Sequence, residues 1–296
     1  MATGMVATVS PRTLPTAPPA CIHTEPATSP LWTLLLRQLK YQLHILGFDI
    51  AEPLAISWYN DSVPEGMGRS IPTPSAPGGR TLALLVGNNK NLWPHFLKAY
   101  NSDPSLQHSE DPLDTYVERC ISAAANATGR PARIFWGHRE RDGVIGGPSL
   151  ELQRMASAAG VAFWDQSSCL SLHPKYGPWF ALRAVVVFDG IEYTGSRPTP
   201  LQNPLNDSTK AYVRMAVRSA RNPSTDNLAD LSGKKDLGER RSSGDEHPTR
   251  ELVRSRWQRW VAVRDAPYPG HIFRYPKLML EYHYTGNRAC LHLNKC

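Results

Sequence analysis

Several things the chain lacks narrow what it can be. Its five cysteines, Cys21, Cys120, Cys169, Cys290 and Cys296, include no C-x-x-C pair. An odd number at scattered spacing frames neither a disulfide scaffold nor a thiolate metal site, so reduced thiols in a cytoplasmic setting are expected. None of the ten histidines has another four residues away, so no helical zinc motif is present and no metal is expected. Dinucleotide-binding, P-loop, H-E-x-x-H and G-x-S-x-G signatures are absent. No apolar run reaches membrane-spanning length: Leu31 to Leu46 is broken by Arg37, Gln38, Lys40, Gln42 and His44. The net charge of +7 gathers in no basic face with interleaved aromatics, which argues against a nucleic-acid partner but suits an anionic small molecule.

What is present is a stretch from Ser171 to Tyr193 around which the chain is organised. His173-Pro174 and Gly177-Pro178 are turn signals, and a β-branched and aromatic run leads from Phe180 to Phe188. The next pair, Asp189-Gly190, is expected to end that strand in a turn. As a strand it sets Phe180, Leu182, Ala184, Val186 and Phe188 on one face, with Ala181, Arg183, Val185 and Val187 on the other. Both faces are apolar, so the strand should be covered on both sides. Arg183 is the exception. A buried guanidinium cannot shed its charge, so an anion should face it, either a structural carboxylate or an anionic ligand.

Around this stretch the pattern alternates helices with about five strands. Residues 1–28, rich in Ala, Thr and Pro, carry one basic and one acidic residue, Arg12 and Glu25, and are expected to be a disordered leader. Ser29-Pro30 opens a helix through Leu35, Leu39, Leu43 and Leu46, stopped at Gly47. Strands are expected at Leu54–Asn60, Thr81–Val86, Ala132–Trp136 and Val161–Trp164. Helices are expected from Asp111-Pro112, over Pro148–Ala159, over Thr209–Ala220, as one basic helix over Arg250–Val263, and over Pro276–Tyr284. Cys120, on the apolar face of the helix that starts at Asp111-Pro112, reads as an inert core thiol. The Gly143–Gly147 stretch reads as a flexible loop, and residues 222–249, polar without periodicity, as a mobile insertion. The pattern suggests one α+β or α/β domain over 29–296.

His173-Pro-Lys-Tyr-Gly-Pro-Trp-Phe-Ala-Leu-Arg183, continuing to Gly190-Ile-Glu192, closely resembles a segment of the CblC-type cobalamin-processing proteins, the cyanocobalamin reductase and alkylcobalamin dealkylase family. Other segments match in the same order: Gly47-Phe48 with Ile56-Ser-Trp-Tyr-Asn60, Thr81–Val86, Asp111-Pro-Leu-Asp114, and Trp260 through Arg264-Asp265-Ala266 to Tyr275, Tyr282 and Arg288. The resemblance runs from roughly residue 45 to 293.

It implies a sandwich similar to flavin nitroreductases, with a mainly antiparallel sheet and flanking helices. It also implies base-off binding of cobalamin as substrate and removal of its upper ligand. Cyanide would leave with electrons from reduced FMN or FAD, drawn from NADP(H), and alkyl groups would go to glutathione as cosubstrate. Arg183, Arg264 and Arg288 match the family's arginines for glutathione, whose carboxylates suit guanidinium forks. The corrin side would come from Leu150, Glu151, Leu152, Gln153, Trp164, Asp165, Gln166, Ser171 and Leu182. His173 reads as a hydrogen-bonded turn residue rather than a cobalt ligand, and no catalytic residue is named. A downstream cobalamin-trafficking protein and a homodimer formed on ligand binding are implied partners. Ser157 replaces a family histidine four residues after Gln153, and Pro178 replaces a glycine. A non-catalytic cobalamin carrier and a flavin reductase of the same fold stay open as alternatives.

Overall fold

The computed structural model describes residues 30–65, 70–72, 79–138, 150–222 and 250–292. The expected leader, the loop at 143–147 and the expected insertion, apart from residue 222, lie outside the described residues. The elements, in chain order, are α1 (Leu31–His44), β1 (Ile50–Ala55), α2 (Ile56–Asn60), β2 (Thr81–Asn88), α3 (Leu92–Ser102), α4 (Pro104–His108) and α5 (Pro112–Asn126). There follow β3 (Arg133–Trp136), α6 (Leu152–Ala158), β4 (Phe163–Asp165), β5 (Leu170–Leu172), β6 (Ala181–Glu192) and α7 (Asp207–Arg221). The last are α8 (Arg250–Ser255), α9 (Trp257–Asp265), α10 (Lys277–Thr285) and α11 (Ala289–His292).

The sequence pattern implied mixed helix and sheet, and the family resemblance implied antiparallel pairing; both are present. A four-stranded sheet has the order β1-β2-β6-β3, and β4 pairs with β5 in a separate two-stranded hairpin. Every pairing is antiparallel. The organising strand β6 is central, and its residues Arg183 to Phe188 are all buried, so both faces are covered. The expected turn at Asp189-Gly190 does not end it. Gly190 takes φ 78°, and the register jumps from Leu82 opposite Phe188 to Thr81 opposite Glu192. The turn signal became a bulge, because glycine lets the strand bend and resume pairing.

Local chemistry explains most boundaries. In α1 the buried residues are Leu35, Leu39 and Leu43, one every four positions, and Gly47 follows the helix with φ 93°. The Asp111 side chain accepts the Asp114 N–H at 3.2 Å and caps α5 ahead of Pro112. Asn206 caps α7 the same way through Thr209, so that helix starts two residues before the expected Thr209.

Two further expectations need correction. The strand read over Leu54–Asn60 ends at Ala55, because the ladder with β2 runs out at Leu82; the chain then makes the helical turn α2, which buries Ile56, Trp58 and Tyr59 together. The single helix over Arg250–Val263 is two, broken where Arg256 leaves helical geometry at φ −126°, ψ 31°. Helices α3 and α4 were not foreseen; Phe96, Leu97 and Tyr100 of α3 are buried in the main core. A second, smaller core joins Leu172 and Leu205 with Val213, Val217 and Ala220 of α7 and Val263 and Ala266 near the end of α9.

Candidate functional site

Where β6 emerges from the sheet, its neighbours Leu182 and Arg183 line different recesses. Leu182 lines a cavity of about 500 Å³, between the α6 region, the β4–β5 hairpin and α10. That is within the usual range for small-molecule sites. Seven of the nine residues expected on the corrin side line it: Leu150, Glu151, Leu152, Gln153, Trp164, Ser171 and Leu182. Gln153 is held in place because its amide donates to the Cys169 carbonyl at 2.8 Å. Glu151 is held by Arg154, whose Nε donates to it at 2.6 Å, and the same guanidinium lies over the Trp164 ring. Trp164 and Ser171 face each other across the hairpin. Trp164 Nε1 and Ser171 Oγ are buried and make no hydrogen bond among the described residues. Both therefore favour a ligand bearing polar groups.

Asp165 and Gln166 are not among the residues that line this cavity. The Asp165 carboxylate turns into the hairpin and accepts from Ser167 N–H and Oγ and from Ser168 Oγ, at 3.2, 2.8 and 2.6 Å. Gln166 is exposed in the same turn. The reason is local: an aspartate satisfies the backbone of a tight turn better than it serves a cavity.

The three arginines assigned to glutathione separate. Arg183, buried, donates from Nε to Asn88 Oδ1 at 2.7 Å and stands 3.5 Å from Asp114 Oδ1. It lines a recess of about 180 Å³. Of the two anions foreseen for it, a structural carboxylate is present. Burial pushes the Asp114 carboxyl up from its ordinary value against the pull of Arg183. Arg288 donates to the carbonyls of Ser109 and Glu110, the second at 2.7 Å, beside a third recess of about 570 Å³. Arg264 does line the 500 Å³ cavity, but Nε and Nη2 donate to the Pro178 carbonyl and Nη2 also to that of Phe180 at 3.1 Å. Its guanidinium lies 4.5 Å from the Trp179 ring and 4.8 Å from that of Tyr275. The neighbouring Asp265 pairs with Arg274 at 2.8 Å.

Two residues were missed. His283 and Tyr284 of α10 line both the 500 Å³ cavity and the Arg183 recess. His283 is open to solvent through these recesses although protein surrounds it. The surrounding protein, then the charges of Arg264 and Arg183, push the imidazole down from its ordinary value. Only the aromatic periodicity of 276–284 marked this helix in sequence. His173 behaves as expected: Nδ1 accepts the N–H groups of Lys175 and Tyr176 at 3.0 and 3.2 Å. Among the described residues no group of His, Cys, Asp and Glu is placed to hold a metal ion, and no helix is long and apolar enough to cross a membrane.

No family model matches the chain. It is 26% identical over 187 residues to a cyanocobalamin reductase / alkylcobalamin dealkylase of Bos taurus, which covers 57% of this chain and 62% of the relative. It is 26% identical over 175 residues to the Homo sapiens protein of the same name, covering 53% and 58%. The matched part thus spans about three fifths of these relatives' own length. In fold the chain is similar to a crystal structure of a C. elegans B12-trafficking protein, CblC, with a TM-score of 0.61, 17% identity, and coverage of 88% of this chain and 95% of that one. The resemblance read from the sequence is borne out by these relatives.

Proposed function

We propose that this chain binds a cobalamin at the 500 Å³ cavity and removes its upper axial ligand, by flavin-driven decyanation and by glutathione-dependent dealkylation. The observation that carries the reading is the convergence of Leu150 to Gln153, Trp164, Ser171 and Leu182 on one cavity, from three separate stretches of chain. Apolar side chains there suit the corrin ring. Gln153, Trp164 Nε1 and Ser171 Oγ suit the amides at its edge. In dealkylation the glutathione thiolate attacks the alkyl carbon; a sulfur–carbon bond forms, the carbon–cobalt bond breaks, and its electron pair stays on cobalt. Arg183 and Arg264, on either side of His283 and Tyr284, offer positive charge to the tripeptide's carboxylates. Decyanation draws electrons from reduced FMN or FAD. No lining residue is specific for an isoalloxazine ring, so no residue is assigned to it. The nitroreductase-like fold, a cytoplasmic setting, a downstream trafficking protein and a ligand-formed homodimer belong to the same reading.

A carrier that keeps the cavity without the dealkylation is the second reading, and one observation favours it. The guanidinium donors of Arg264 and Arg288 are engaged by backbone carbonyls rather than held open for a cosubstrate. Methylcobalamin mixed with the protein and glutathione without oxygen separates the two. A base-off spectrum on binding followed by cob(I)alamin supports the enzyme, and a base-off spectrum without conversion supports the carrier. If no base-off spectrum forms, the cobalamin reading fails.

A further inference from the structure

Away from the cavity, the outer face of α7 forms an open groove of about 590 Å³ lined by Ser167, Arg214, Val217, Arg218, Arg221 and Asn222. Arg214, Arg218 and Arg221 recur at i, i+4 and i+7, which puts them on one face of the helix. All three are exposed. None of their side chains has an ion pair or hydrogen bond among the described residues, whereas Arg119, Arg133, Arg154 and Arg274 each hold a carboxylate. Among the described residues no acidic residue lines the groove. Three like charges within two helical turns repel one another, and an anionic partner would relieve that repulsion.

The helix that carries them is fixed. Val213, Val217 and Ala220 are buried in the smaller core with Val263 and Ala266, so the arginines project from a rigid element. Tyr212, Met215 and Arg218 form a second ridge at i+3 spacing, with Tyr212 52% and Met215 53% exposed. Tyr, Met and Arg are residues that protein interfaces favour over the rest of the surface. Seven residues of helix rise about 10 Å. Three guanidinium groups borne along that length offer several separate contacts to anionic groups. They match side chains along an extended segment, which rises about 3.3 Å per residue.

We infer that this face of α7 docks an acidic polypeptide segment of a partner protein, with Arg214, Arg218 and Arg221 pairing its carboxylates and the neighbouring Met215 taking an apolar side chain. Ser167, at the end of the groove, lies in the turn of the β4–β5 hairpin whose Trp164 and Ser171 line the 500 Å³ cavity. The partner would therefore sit beside that cavity. The inference stands on the surface itself and is tested without cobalamin.

The probe is a fluorescein-labelled dodecapeptide of mixed Glu and Asp with one Leu and one Tyr, followed by anisotropy with the full chain at low salt. Binding that weakens as sodium chloride is raised, and that falls tenfold or more in Arg218→Glu and Arg214→Glu but not in Arg37→Glu on α1, supports the inference. Arg218→Gln, with a smaller loss, serves if a charge reversal melts early by circular dichroism. The inference is overturned by three results: no peptide binding, an equal loss in Arg37→Glu, or displacement of the peptide by an equal concentration of inorganic phosphate. The last would make the groove a small-anion site.

Discussion

Arg183 Nε donates to Asn88 Oδ1 at 2.7 Å, across from β6 to β2, while the Asp114 carboxylate stands 3.5 Å from Nη1. The short bond of this buried guanidinium thus goes to a neutral amide, and its charge is met by an acid whose own ionisation burial opposes. Asn88 is fully buried. Arg183 is therefore a structural residue whatever it also binds.

Arg183→Ala should cost about 2–3 kcal/mol, because it strands a buried amide and leaves Asp114 uncompensated. Urea unfolding measures this. Arg183→Lys should recover part of the loss, since an ammonium can meet Asp114 but lacks the fork that also reaches Asn88. A wild-type midpoint in the alanine variant would mean that the pairing does not stabilise the fold.

Arg264 and Arg288 both donate to carbonyls, yet they should differ in effect. Arg264 is half-buried between Trp179 and Tyr275, and its loss strands the carbonyls of Pro178 and Phe180; Arg264→Ala should cost roughly 2 kcal/mol. Arg288 is exposed and water can replace it, so Arg288→Ala should cost less than about 0.5 kcal/mol. Thermal unfolding of the pair tests the contrast, and equal losses would contradict it.

His173 predicts a pH dependence. Its ring is pushed down from 6.5 to about 4, by burial first and then by Lys175, and Nδ1 is occupied as an acceptor. The unfolded chain then binds the proton more readily than the folded one. This contribution is complete above pH 6.5 and is lost as the pH falls towards 4. His173→Asn, which can still accept a hydrogen bond, should flatten the slope between pH 6.5 and 4 in chemical unfolding. An unchanged slope would exclude His173 as its source.

The cysteines should differ in reactivity. Burial pushes the Cys120 thiol up to about 11, and Cys290, also buried, is raised as well. Cys169 is partly exposed at the cavity edge. In a Cys21→Ser, Cys296→Ser background, a chromogenic disulfide reagent at pH 8 should label Cys169 in the native protein, and Cys120 and Cys290 after denaturation. Native labelling of Cys120 would contradict its place in the core.

Sequence alone determined β6 with its two covered faces, the burial of Arg183, the leucine stripe of α1 and the capped start of α5. Each follows from side-chain period or local capping, which a few neighbouring residues decide. The resemblance also named seven residues that the fold gathers at one cavity, although nothing in their spacing predicts that meeting. Tertiary structure decided the rest. Strand β1 ends where its ladder with β2 runs out at Leu82, and Gly190 makes a bulge rather than a turn because β2 runs on to Thr81 beside it. Asp165 is taken by its own hairpin, and His283 reaches the cavity because α10 packs against α9, whose Arg264 lines the same cavity. Which anion faces Arg183 was open in the sequence, because pairing across 69 positions depends on where α5 lies against the sheet. The fold put Asp114 there.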